Sequence, residues 1–134
     1  MHNHGEKVNF QNWLENTEGY PTLRWVKAQL RNNIYYQFPR NRRVLGAFIV
    51  GSVARGLEHD ESDLDIAVII EPIRGKSAMQ ISDDFHSRFA TNTMKPNWNG
   101  RVVDFQFFYP NDPEMQNYSK IPLIESRNHE RRRP

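Results

Sequence analysis

Two aspartates with a single residue between them, Asp63 and Asp65, open an apolar run from Ile66 to Ile70, and a third, Asp104, interrupts another run built for burial, Arg101 to Tyr109. Upstream, Gly51 and Ser52 follow directly on the apolar stretch Val44 to Val50. A Gly-Ser turn leaving a strand presents backbone N–H groups and a hydroxyl, groups that hold phosphate oxygens. Three carboxylates on one side of a sheet repel and raise one another's pKa unless a cation sits among them. Oxygen-only ligation suits Mg²⁺ or Mn²⁺, and Mg²⁺ completes its shell with phosphate oxygens and water. The set therefore asks for a metal–nucleotide rather than a bare metal, and for in-line displacement at phosphorus. Each piece alone is a weak signal, because Gly-Ser turns are common and polar turn residues flank many strands. In the alternative without chemistry, Ser52 caps a helix, Asp63 and Asp65 finish a turn, and Asp104 pairs with an arginine.

Positioning falls to the elements around these residues. Val44 to Val50 is nearly all apolar, the pattern of a central strand covered on both faces, and Gly46 and Ala47 allow a close neighbour. In the segment 63–70, Leu64, Ile66, Val68 and Ile70 share one face while Asp63 and Asp65 share the other. From Arg101 to Tyr109, Val103, Phe105, Phe107 and Tyr109 alternate with Val102, Asp104, Gln106 and Phe108. Leu23, Val26, Leu30 and Ile34 repeat at helical spacing, and Phe38 precedes the helix-breaking Pro39. Ser77 with Gln80 has the form of a capping box before a second stripe, Ala78, Ile81, Phe85 and Phe89. The spacing of Phe10, Trp13 and Leu14 suggests a short helix capped by Asn9 and ending near Gly19. Thr91 to Gly100 reads as a loop whose Trp98 packs on the domain edge, and Ile121, Leu123 and Ile124 as a short edge strand.

The chain has 134 residues, enough for one domain with a core of its own, expected over about residues 22–125 between a mobile lead and an arginine-rich tail. Without cysteine it has no disulfide, no thiolate zinc site and no cysteine nucleophile. The polar start MHNHGEKVN lacks the apolar stretch of a signal peptide, and no run approaches the ~20 apolar residues of a membrane span, so a cytoplasmic protein with no membrane partner is expected. The formal charge of +2 does not by itself call for nucleic acid. Arg40, Arg42, Arg43, Arg101 and the terminal arginines are the residues on which such binding would rest. His2 and His4 are read as part of the mobile lead rather than a metal tract, and His59 as a solvated spacer residue.

GSVARG, five further residues, SDLD, and a later VVDF strand resemble the nucleotidyltransferase superfamily typified by DNA polymerase β, in particular its small stand-alone members. The resemblance spans roughly residues 44 to 109. It implies an α/β (α+β) palm-like fold, a mixed sheet of three or more strands with helices mainly on one face. It implies Mg²⁺- or Mn²⁺-dependent transfer of an NMP from an NTP, ATP being the expected one, to a hydroxyl of a protein, an RNA or a small molecule. Gly51 and Ser52 would hold the β- and γ-phosphates; Asp63 and Asp65 would bind both metals; Asp104 would bind the catalytic metal and help deprotonate the acceptor. Arg55 and Gly56 match the loop's ARG element, with Arg55 either reaching a phosphate or tying the loop to a carboxylate. The thirty residues after Asp104 are too few for the helical domain with which larger members grip base and acceptor. That argues against a templated polymerase and for a helical protein partner or a homo-oligomer, as in toxin–antitoxin pairs. The rival expectation is a binding module, such as an antitoxin-like component acting with a helical partner, in which the site is vestigial or used only on that partner.

Overall fold

The computed structural model describes residues 14–15, 19–32, 44–56, 63–87 and 95–126. Thr22 Oγ1 accepts a hydrogen bond from the Trp25 backbone N–H at 3.2 Å and caps helix α1, Leu23–Asn32. Strand β1, Val44–Val50, runs into a one-turn helix, α2, Gly51–Ala54. Strand β2, Leu64–Ile70, follows, then helix α3, Ala78–Ser87, begun by the anticipated capping box. There the Ser77 N–H donates to Gln80 Oε1 at 2.7 Å and the Gln80 N–H to Ser77 Oγ at 3.1 Å. A short strand β3, Asn97–Trp98, leads into β4, Arg101–Phe108, and helix α4, Pro113–Asn117, precedes β5, Ile121–Pro122.

The five strands lie in the order β3-β4-β2-β1-β5. β1 is antiparallel to β2 and to β5, whereas β2 and β4 are parallel, with α3 as the crossover that parallel neighbours require. The sheet is thus mixed, and the class is α/β as expected. Its centre is β2 rather than β1. Adjacent β5 covers only Phe48 and Ile49, and the β1–β2 register slips between Val44 and Gly46, so that bulged Leu45 is 45% exposed. The apolar run of β1 therefore did not mean burial on both faces.

One face carries the core. Val26 and Leu30 of α1 and Ile81 and Phe85 of α3 pack with Leu64, Ile66, Val68, Ile70, Val103, Phe105 and Phe107. The opposite face has only a small cluster, Val50, Ala67, Phe108 and Met115, covered at one end by α4 and Tyr118. Tyr109, expected to end the strand, lies one residue past it and packs against the core, its hydroxyl donating to the Lys76 carbonyl at 2.5 Å and accepting from the Ile73 N–H at 3.1 Å. The stretch 91–100 is not all loop. Asn99 and Gly100, at φ 50° and 98°, form a two-residue hairpin turn that pairs Trp98 with Arg101 and Asn97 with Val102. Trp98 packs edge-on against Trp25, with centroids 5.4 Å apart, and its indole N–H donates to the Gly19 carbonyl at 3.2 Å. The short helix expected at Phe10 and Trp13, the continuation to Ile34 and Phe38, the arginines at 40, 42 and 43, His59, Phe89 and the terminal arginines lie outside the described residues.

Candidate active site

Parallel pairing of β2 with β4 sets Asp65 directly beside Asp104 in register, both on the face away from the core. Neighbouring strands lie about 4.8 Å apart, so the two carboxylates are side by side. Asp63 directly precedes β2, and its charge acts on Asp65 two residues on. On the other flank, Val50 pairs with Asp65, so the chain leaves β1 against that carboxylate. Gly51 makes the exit possible. Its φ is +72°, and a Cβ there would overlap Asp65 Oδ2 and lie 3.2 Å from Asp65 Cβ and Cγ. The Gly-Ser turn and the carboxylates thus form one continuous patch, with Ser52 half-buried in the first turn of α2.

Burial, reinforced by the charges of Asp104 and then Asp63, pushes the Asp65 carboxyl up to about 6, against a smaller lowering by Arg55. Burial is the larger cause, and the repulsion expected of carboxylates gathered on one side of a sheet adds to it at Asp65. Arg55 caps α2, its backbone N–H donating to the Gly51 carbonyl at 3.2 Å and its Nε to the same oxygen at 3.4 Å. Its guanidinium braces the turn through backbone while its charge acts on Asp65.

Asp104 has a partner that the sequence did not announce. Lys95 Nζ donates to Asp104 Oδ1 at 3.0 Å, and the side chains are 22% and 23% exposed. The pairing partner is a lysine rather than the arginine of the non-chemical alternative. The signal for it was the Asn-Gly turn: a two-residue hairpin fixes the register, and counting back from it places Lys95 opposite Asp104. Among the described residues no three His, Asp or Glu side chains converge as they stand to hold a metal ion. The donor chemistry nonetheless fits Mg²⁺. Asp65 and Asp104 supply adjacent hard oxygens, a bound cation would offset the carboxylate charges that help raise Asp65, and Mg²⁺ takes most of its remaining ligands from phosphate and water.

Beyond Asp104 on the same face, Gln106 and Phe108 help line a cavity of about 560 Å³ between the edge of β4, helix α3 and the α4 segment. Asp83, Asp112 and Glu114 also line it, and no lysine or arginine does so among the described residues.

In this mixed sheet a Gly-Ser turn thus abuts two carboxylates held in register. Residues 32–121 match the model of the family described as polymerase beta, nucleotidyltransferase. The chain belongs to that family. Comparisons with curated proteins and with solved structures returned no match. No helix among the described residues is long and apolar enough to cross a membrane.

Proposed function

We propose that this protein transfers an NMP from an NTP, ATP first among the candidates, to a hydroxyl acceptor with the help of Mg²⁺ or Mn²⁺, forming a bond from the acceptor oxygen to the α-phosphorus and releasing pyrophosphate. The observation that carries the proposal is the in-register pairing of Asp65 with Asp104 on the uncovered face, with Gly51 packed against Asp65. Asp63, Asp65 and Asp104 are the residues assigned to the metal. When bound, the metal neutralises phosphate charge and offsets the carboxylate repulsion. Gly51 and Ser52 offer backbone and hydroxyl donors to the triphosphate, and Arg55 keeps that turn in place. Asp104 accepts the proton of the incoming hydroxyl.

The acceptor is assigned to the cavity beside β4. Gln106, at its lip, is two residues from Asp104, about 7 Å along the strand. A lining with three carboxylates, His86 and, among the described residues, no lysine or arginine favours a neutral or positively charged hydroxyl compound or side chain over a polyanion such as RNA. A non-catalytic role, nucleotide binding in the service of a partner, stands second. The Lys95–Asp104 ion pair favours it, because an ammonium already neutralises the third carboxylate.

The two are separated by incubating the protein with each of the four α-labelled NTPs, Mg²⁺ and cell lysate. Turnover predicts label on an acceptor, lost on adding a chelator. Nucleotide binding without label transfer, for all four NTPs, would reject the enzyme and leave the binding role.

A further inference from the structure

We infer that Lys95 is a tethered counter-ion that occupies Asp104 in the nucleotide-free protein and gives it up only to a metal that arrives with a triphosphate, so that metal loading is conditional on nucleotide. The inference rests on the metal site proposed above.

The ion pair is built into the fold. Lys95 lies four residues before the Asn99-Gly100 turn, and Asp104 lies four residues after it. The turn pairs Trp98 with Arg101 and Asn97 with Val102, and the Val103 N–H donates to the Pro96 carbonyl at 2.9 Å, so the same register continues to Lys95 opposite Asp104. Residues opposed across an antiparallel pair project to the same face, and between hydrogen-bonded pairs they approach most closely. The lysine is therefore delivered to the face that carries Asp65 and Asp104. With each side chain about four-fifths buried, the pair is less screened than a surface ion pair.

Charge decides what displaces it. A bare divalent ion must break the ammonium–carboxylate contact and leave a half-buried cation beside itself. A metal carried by a triphosphate brings anionic oxygens on which the released ammonium can settle. Lysine suits such an exchange, having a compact charge on a flexible stem with three rotatable donors. The contact gives Asp104 a charge partner at 3.0 Å on the same face as Asp65.

The test is Mn²⁺ affinity, measured without nucleotide by the paramagnetic resonance of free Mn²⁺. Lys95→Met should bind Mn²⁺ about tenfold more tightly than wild type, the order expected for removing one competing charge at this depth. Lys95→Arg, which keeps the charge, should stay near wild type. With an NTP whose α–β bridge is non-cleavable, the gap between Lys95→Met and wild type should shrink to about threefold or less. In an Asp104→Asn background, Lys95→Met should bring no gain. Lys95→Gln serves as a second neutral variant should Lys95→Met melt early. Mn²⁺ affinity in both neutral variants equal to or weaker than wild type would overturn the inference, as would a gain that persists in Asp104→Asn. Mn²⁺ binding that is unchanged in Asp63→Asn and Asp65→Asn would instead remove the metal site itself, and the inference with it.

Discussion

The two faces of β2 and β4 are made of neighbouring residues and do opposite work. Leu64, Ile66, Val103, Phe105 and Phe107 turn towards α1 and α3 and are almost entirely removed from water. Asp65, Asp104 and Gln106, one residue out of phase with them, turn to a face with little cover. Burial on the first side stabilises the domain. On the second, partial burial of charge costs stability, visible in the Asp65 carboxyl pushed up to about 6. The contrast teaches that the hydrophobic face fixes the strand register, and the register brings together carboxylates that would otherwise avoid one another.

That contrast can be broken from either side. Phe105 is fully buried, with ring centroids 6.1 Å from Trp25 and 5.8 Å from Phe85, so Phe105→Ala should cost about 3–5 kcal/mol in urea unfolding. Its exposed neighbour Gln106 faces the other way, and Gln106→Ala should stay within about 0.5 kcal/mol. Comparable losses at the two positions would deny the difference between faces.

Gly51→Ala should cost about 2 kcal/mol, combining a positive φ with a Cβ set against Asp65, and should depress transfer together with stability. Wild-type stability with normal transfer would mean that the turn does not press on Asp65.

Asp65→Asn should have the smaller effect and the opposite sign in the metal-free protein. The folded carboxyl, at about 6, lies above its ordinary value of 3.8, so its contribution to stability is complete below about 3.8 and is lost as pH rises through about 6. Metal-free wild type should therefore weaken between pH 4 and 7 relative to Asp65→Asn. Allowing for solvent screening of a half-exposed group, the neutral variant should gain about 1 kcal/mol at pH 7. Mg²⁺ with an NTP should reverse the order. Parallel pH profiles of the two proteins would remove the repulsion from the account.

Much of this was legible in the sequence because strand alternation has a period of two. Asp63 and Asp65 had to share a face, and Leu64, Ile66, Val68 and Ile70 the other, whatever the partner strands were. The capping box at Ser77 and Gln80 formed as read, because it depends only on residues three apart. Pairing was less legible. An apolar run does not tell a central strand from one beside a short edge, and β1 proved to be the latter. The in-register meeting of Asp65 and Asp104 depends on long-range pairing that no local pattern encodes. Lys95 escaped because polar residues around Asn99-Gly100 dominated the reading of 91–100 as loop, although that dipeptide is itself a hairpin signal. The Pro113–Asn117 helix is too short to show a periodicity; its signal is local, Pro113 at its start with Asp112 accepting from the Glu114 N–H as its cap.

The central claim, that the uncovered carboxylates carry nucleotidyl transfer, is tested most directly by label transfer from the α-labelled NTP that wild type uses, with Mg²⁺, in Asp63→Asn and Asp65→Asn at equal folded fraction. Each variant should fall by about 10²-fold or more. Transfer within about threefold of wild type in either, a difference of under 1 kcal/mol, would contradict the claim.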